Sequence, residues 1–149
     1  FCYAGVTLGD LVSGVMSQVI RSRVKVLQYF VFGTLIMVIA YFFMYRVEVK
    51  HFYILFTILG FAAGYWAVLM SSASEQFGTN IRATVTTSVP NFIRASLVPI
   101  SFFYTMLQTM GTTKLQSGLI TGIICCTVAF IAASLLKESY HQDLDYVEE

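Results

Sequence analysis

The sequence predicts an all-α fold, a polytopic transmembrane helical bundle of about five helices, on three observations. Charged residues make up only 11% of the 149 residues and hydrophobic ones 57%, whereas a soluble domain carries about 25% charged residues. Mean hydropathy is +0.74. Uncharged runs recur at close to the ~20 residues that cross a bilayer core as a helix. The charges gather in short links between those runs, and the runs lack the period-2 alternation of barrel strands. In lipid only helices and closed barrels satisfy their own backbone groups, so the runs read as helices.

The first span, residues 1–20, contains one acid, Asp10, on a polar stripe. Thr7, Asp10, Ser13, Gly14, Ser17 and Arg21 follow helical spacing. The second span, 26–45, lies between Lys25 and Arg46 and closes on Tyr41, Phe42, Phe43 and Tyr45, rings of the kind favoured at membrane interfaces. The third, 52–74, opens on Phe52 and Tyr53. Its Trp66 lies too deep for the interface and is expected to pack. The fourth, 84–111, has an uncharged part from Ala95 to Thr113, and Pro90 and Pro99 predict a bend. The fifth, 115–136, follows a tight link from Gly111 to Lys114. Residues 1–137 thus form the bundle. Residues 138–149, which hold five of the eight acids, are expected to form an acidic, solvated cytoplasmic tail without regular structure.

Arg21, Arg23, Lys25, Arg82 and Lys137 fall on the side of the tail, against Arg46, Lys50 and Lys114 on the other. The positive-inside rule therefore places the C-terminus in the cytoplasm of a multi-pass protein of the cell membrane, plasma or bacterial inner. The chain opens inside an apolar run at Phe1 with no charged n-region, which predicts a piece of a longer protein and no signal peptide.

Three Gly-xxx-Gly pairs, Gly5/Gly9, Gly60/Gly64 and Gly118/Gly122, predict close helix packing. Gly60, Gly64, Ala67, Ser71 and Glu75 extend one of them as a stripe. Cys2, Cys125 and Cys126 lie in apolar runs without metal-ligand spacing and read as small packing residues.

Asp10 lies ~16 Å of helix before Arg21, close to mid-membrane. A carboxylate there costs at least ~2.5 kcal/mol on insertion scales and must face protein or water. Two readings stay open: an acid that handles a proton or substrate, or an acid paired to a neighbouring helix for structure. Arg94 is the second suspect. It either snorkels to the cytoplasmic interface or faces a cavity, where it would be a candidate partner for Asp10. His51 and His141 have no nucleophile or ligand partner in sequence, no phosphate-cradling loop occurs, and no basic patch suits nucleic acid. An enzyme is not expected, and neither a cofactor nor a metal is implied.

Two loops carry a resemblance. Gly14-Val-Met-Ser-Gln-Val-Ile-Arg-Ser-Arg23 resembles the loop signature of the major facilitator superfamily, Gly-x-x-x-Asp-Arg-x-Gly-Arg-Arg, with Gln18 in the place of Asp and Arg21-Ser22 in that of Gly-Arg. Glu75-Gln-Phe-Gly-Thr-Asn-Ile-Arg82-Ala-Thr is similar to that family's loop between the tenth and eleventh helices, Glu-x-Phe-Pro-Thr-x-x-Arg-Ala-Thr, with Gly78 for Pro. Asn91, Arg94 and Pro99 fall where members often carry the same residues. The resemblance implies helices eight to twelve of a secondary transporter, an incomplete C-terminal half that moves a small solute by alternating access. It also implies a cytoplasmic latch of Arg21, Arg23, Glu75 and Arg82, with Arg23 paired to Glu75. Its partners would be the lipid bilayer, the missing N-terminal half-bundle and a small-molecule solute, with a proton as coupling ion in one version and no nucleic acid. The alternative is a small membrane scaffold or accessory subunit with no transport activity of its own.

Overall fold

The computed structural model describes residues 1–44 and 48–140. The interface residue Tyr45, the link residue Arg46, His141 and the four distal tail acids lie outside the described residues. The described chain is all-helical, in seven segments: α1 (Cys2–Ile20), α2 (Arg23–Met44), α3 (Val49–Ala62), α4 (Trp66–Glu75), α5 (Thr79–Ala95), α6 (Leu97–Thr109) and α7 (Lys114–Leu135). Two near-continuous pairs, α3 with α4 and α5 with α6, reduce these to five helical units. Three stretches are long and apolar enough to cross a membrane: Arg23–Met44, Val49–Glu75 and Lys114–Leu135. Every helix exposes large apolar side chains, among them Leu11, Phe32, Ile58, Trp66, Phe92, Phe102 and Leu135. Such faces suit lipid or further helices, not water.

The links follow from local chemistry. Arg21 ends α1 in the left-handed region (φ 54°, ψ 38°), a conformation that costs a non-glycine residue about 1–2 kcal/mol. It lets the chain reverse in two residues, after which Ser22 accepts from the Lys25 amide at 3.2 Å and opens α2. Gly111 (φ 91°) reverses the chain between α6 and α7. Thr113 then opens α7 through a capping box with Gln116.

Two expected spans are interrupted. The third breaks at residues 63–65, between α3 and α4. The fourth, expected over 84–111, begins at Thr79 and breaks at Ser96, three residues before Pro99. Proline lacks the N–H that would bond the Ala95 carbonyl, so the ladder parts there. Pro90 lies inside α5, which continues through it to Ala95. The Trp66 ring, expected to pack, is 40% exposed, and the residue serves through its backbone instead.

Helix α1 packs most extensively on α3, and α2 on α7. The α1–α3 crossing is a contact of backbone on backbone. A Cβ on Gly5 would stand 2.1 Å from the Thr57 carbonyl oxygen, and one on Gly9 2.2 Å from that of Phe61. A Cβ on Gly60 would meet the Cys2 carbonyl at 2.2 Å, and one on Gly64 the Gly9 Cα at 2.6 Å. The first two Gly-xxx-Gly pairs are therefore partners of each other. The third differs: a Cβ on Gly118 meets nothing closer than a Tyr104 ring carbon at 4.0 Å, and one on Gly122 meets the Val38 side chain. The buried core, Val26, Leu27, Phe30, Val68 and Ala133, lies where α2, α4 and α7 converge. Helices α5 and α6 bury no residue among those described.

These distances predict an asymmetry among the glycines. Gly9→Ala and Gly64→Ala should each destabilise the protein by about 1–3 kcal/mol, the usual cost of overpacking, while Gly118→Ala should be silent. Thermal unfolding of the three variants in detergent checks this; equal shifts for all three would contradict the crossing.

Candidate functional site

Two polar assemblies lie along the face that α1 and α4 share. The first is the break in the third span. Ending α3 at Ala62 and restarting at Trp66 strands backbone groups on both sides, which lipid cannot satisfy. Each flanking helix supplies a side chain to them. From α2, Thr34 Oγ1 donates to the Ala62 carbonyl at 2.9 Å as well as to its own Phe30 carbonyl. From α1, Asp10 Oδ1 accepts from the amides of Trp66 at 2.7 Å and Ala67 at 3.3 Å. Gly64, between the two half-helices, sits against Gly9, so the glycine contact delivers Asp10 to the new helix start. The positive end of the α4 dipole faces the carboxylate.

Of the two readings of Asp10, this geometry contains the structural pairing; the partner is a helix end instead of a basic side chain. Arg94 is not that partner. It is exposed on α5, bonds Asn91 Oδ1 at 3.4 Å, and belongs to a helix that does not pack on α1. The remaining stripe residues serve locally. Ser13 and Ser17 are fully buried and bond the carbonyls of Asp10 and Gly14, and Thr7 bonds that of Tyr3.

The second assembly lies where α1 turns into α2, α4 ends and α7 ends. Arg23 and Glu75 form a bidentate pair: Nη2 donates to Oε1 at 3.0 Å and Nε to Oε2 at 3.3 Å. Arg23 Nη1 also donates to Ser17 Oγ at 2.5 Å. The two side chains are only 12% and 15% exposed, so removal of either leaves a largely buried charge without its partner. Arg82 reaches back across the α4–α5 turn and donates to the carbonyls of Ser74 at 3.1 Å and Phe77 at 3.2 Å. It closes the end of α4 beside Glu75. Arg21, the fourth residue expected in the latch, is exposed at the left-handed end of α1, and the ion pair with Glu75 is made by Arg23.

Glu138, Ser139 and Tyr140, expected within a solvated tail, belong to this cluster. Glu138 accepts from the Arg23 amide at 2.8 Å and from the Ser22 hydroxyl. Ser139, 2% exposed, donates to Glu75 Oε2 at 2.8 Å. The Tyr140 hydroxyl donates to Gln18 Oε1 at 3.2 Å, and its ring lies 5.4 Å from the Arg23 guanidinium carbon. Desolvation on its own pushes the Glu138 carboxyl up. Hydrogen bonds from Ser22 and from the backbone of Arg23, Tyr140 and Val24 outweigh it and hold the pKa below the ordinary carboxylate value.

Between the two assemblies runs a groove of about 390 Å³, lined by Asp10, Gly14, Ser17, Gln18, Arg23 and Ser71 among others. It runs from Asp10 at the capped break to Arg23 of the ion pair, with Leu11, Val15, Ala67 and Val68 completing a largely apolar wall. Sequence reasoning missed Thr34, Ser22 and Glu138–Tyr140. A threonine in an apolar helix carries no visible partner, and Glu138 is hidden in a run of acids. Comparison with known proteins returns nothing: no family model, curated protein or solved structure matches the chain.

Two outcomes follow from the charges. Glu75→Arg and Arg23→Glu should each destabilise the protein by about 3–5 kcal/mol, as one-sided loss of a buried pair does, and the double exchange should recover part of it. Additive losses in a double-mutant cycle would refute the coupling. A lowered folded-state pKa means that Glu138 stabilises the fold at pH values above its unfolded pKa, and that this contribution is lost as pH falls through the folded one. The stability difference between wild type and Glu138→Gln should therefore be constant near neutrality, begin to shrink as pH falls past the ordinary glutamate value of about 4.3, and vanish only below the lowered folded-state pKa.

Proposed function

We propose that this chain is the C-terminal part, helices eight to twelve, of a secondary active transporter of the major facilitator superfamily. It works by alternating access on a small solute, with the C-terminus in the cytoplasm. The carrying observation is the apolar stretch Val49–Glu75, broken at residues 63–65 and capped on both sides by the flanking helices. A membrane-spanning helix gains nothing in stability from such a break. Secondary transporters use interrupted helices at the substrate or coupling-ion site, because the half-helix ends present oriented backbone groups there. The break opens on a groove that carries Asp10, Ser17, Gln18 and Arg23 among apolar side chains and ends at the Arg23–Glu75 pair.

In this reading the two assemblies have separate roles. The break is the working centre: Asp10 holds the α4 start and leaves its second carboxylate oxygen for a solute or a proton. The Arg23–Glu75 pair is the cytoplasmic latch, which fixes the ends of α1, α2 and α4 while the preceding half of the protein moves against them. Arg94, exposed on α5, lines the path contributed by the other half. The lipid bilayer covers the apolar faces of α2 and α7.

The test uses the intact protein in proteoliposomes, screened with labelled sugars, amino acids and organic anions. Asp10→Asn keeps an oxygen to accept from Trp66 and removes the charge; Asp10→Ala removes the cap. If Asp10 couples transport to protons, Asn should abolish accumulation driven by a pH gradient and leave counterflow exchange largely intact, whereas Ala should reduce both. Wild-type accumulation with unchanged pH dependence in Asp10→Asn leaves the acid a structural cap only. Absence of saturable uptake of any solute by the wild type sinks the transporter reading.

A further inference from the structure

Glu138, Ser139 and Tyr140 are consecutive, yet each binds the end of a different helix. Glu138 sits on the start of α2, where it takes the Arg23 amide at 2.8 Å and the hydroxyl of Ser22. Ser22 in turn caps the Lys25 amide. The first turn of α2 thus has its free amides satisfied partly by its own residue and partly by an acid brought from the far end of α7. Ser139 sits on the end of α4 through Glu75, and Tyr140 on the end of α1 through the side chain and, at 3.4 Å, the carbonyl of Gln18. The Tyr140 ring meets the same guanidinium that pairs with Glu75.

We propose that Glu138–Tyr140 form a strap that closes the ion-pair end of the α1–α4 groove and that opens as one unit. Gln18 and Arg23 line that end of the groove, and both are held by Tyr140. α7 ends at Leu135, Leu136 is extended, and residues 137–139 have no regular structure, so the strap is not a continuation of the helix. Helix propagation therefore does not stabilise it. Its attachments include one carboxylate, one hydroxyl and one phenol carried on three consecutive residues, so the loss of Glu138 should release the other two. When it opens, the α2 start loses its acid and Glu75 loses a donor, while the Arg23–Glu75 pair itself stays. This device rests on the latch reading above but not on transport.

The experiment is hydrogen exchange by mass spectrometry on the intact protein in nanodiscs, comparing wild type, Glu138→Ala and Tyr140→Phe. In Glu138→Ala, peptides covering residues 17–25 should exchange roughly tenfold faster, the factor that corresponds to ~1.4 kcal/mol, with peptides of α3 unchanged. Tyr140→Phe should give a smaller rise over the same residues 17–25. If Glu138→Ala raises exchange throughout, that variant has unfolded and Tyr140→Phe decides: a rise limited to residues 17–25 supports the strap, and none, or one confined to the end of α1, overturns it. Unchanged exchange at residues 17–25 in both variants also overturns it. None of these readouts requires a solute, so a failed strap and a failed transporter give different results.

Discussion

The carboxylate of Asp10 on the free amides of Trp66 and Ala67 is the interaction on which the rest depends. A helix that stops and restarts within the bilayer must have its loose N–H and C=O groups answered by protein. An acid near mid-membrane costs about 2.5–3.5 kcal/mol on insertion scales. Two hydrogen bonds to a charged group return about 1.5–3 kcal/mol each, and a helix start adds about 0.3–1 kcal/mol. The acid and the break thus offset each other's cost. Close approach is the precondition. Gly9 is one residue from Asp10, and Gly64 one residue from the break, so the contact of Cα on backbone brings the cap within reach of its amides. A methyl group on either glycine would push them apart.

Charge at the other end of the groove follows the same rule in wetter surroundings. Arg23 offers donors in a fork, and Glu75, Ser17 and the Tyr140 ring occupy its edges and face. Glu75 is answered twice, by Arg23 and by Ser139. Arg82 takes the α4 carbonyls that remain. Four chain segments, α1, α2, α4 and the residues after α7, are tied at this end. By contrast, α3 does not pack on α6 or α7, and a cavity of about 510 Å³ lies among α2, α3, α6 and α7. The bundle is pinned by polar side chains at the ion-pair end, while toward the other end α1 and α3 stay in backbone contact and the gap lies between α3 and the α6–α7 pair.

Much of this was legible in the residues, and what was not has a physical reason. Helical class and the apolar spans follow from composition and run length, because lipid leaves few alternatives. Glycine pairs announce close packing, but small residues do not name their partners: two pairs meet each other, and Gly118 faces open space. Asp10 stands out as an acid in an apolar run, yet its partner is a pair of backbone amides, which every residue has and no sequence distinguishes. The break was hidden because Gly64 reads as a packing glycine, and it is one. Glu138 was hidden by its neighbours, since a run of acids reads as a solvated tail until the ends of two other helices are brought beside it.

Helices α5 and α6 pack least. Helix α5 buries none of its described residues, and its polar side chains turn back on their own turn of helix: Thr86 and Thr87 bond the Ala83 carbonyl, Asn91 that of Thr87, and Arg94 the Asn91 side chain. Back-bonding of this kind quiets hydroxyls and amides but leaves a guanidinium with most of its donors unspent. A face with Arg94, Asn91 and Thr87 does not suit hydrocarbon, and α1, which carries Asp10, does not pack on α5. Under the transporter reading the conflict resolves without further assumption. The α5 face meets the preceding half of the protein or the aqueous path between the halves, and the ladder break at Ser96 lets α5 and α6 follow different neighbours. The two interrupted units, α3–α4 and α5–α6, then divide the work. The first is broken and capped, so that its position is set from within this chain. The second is broken and uncapped by any neighbouring helix, so that its position is set by what it meets.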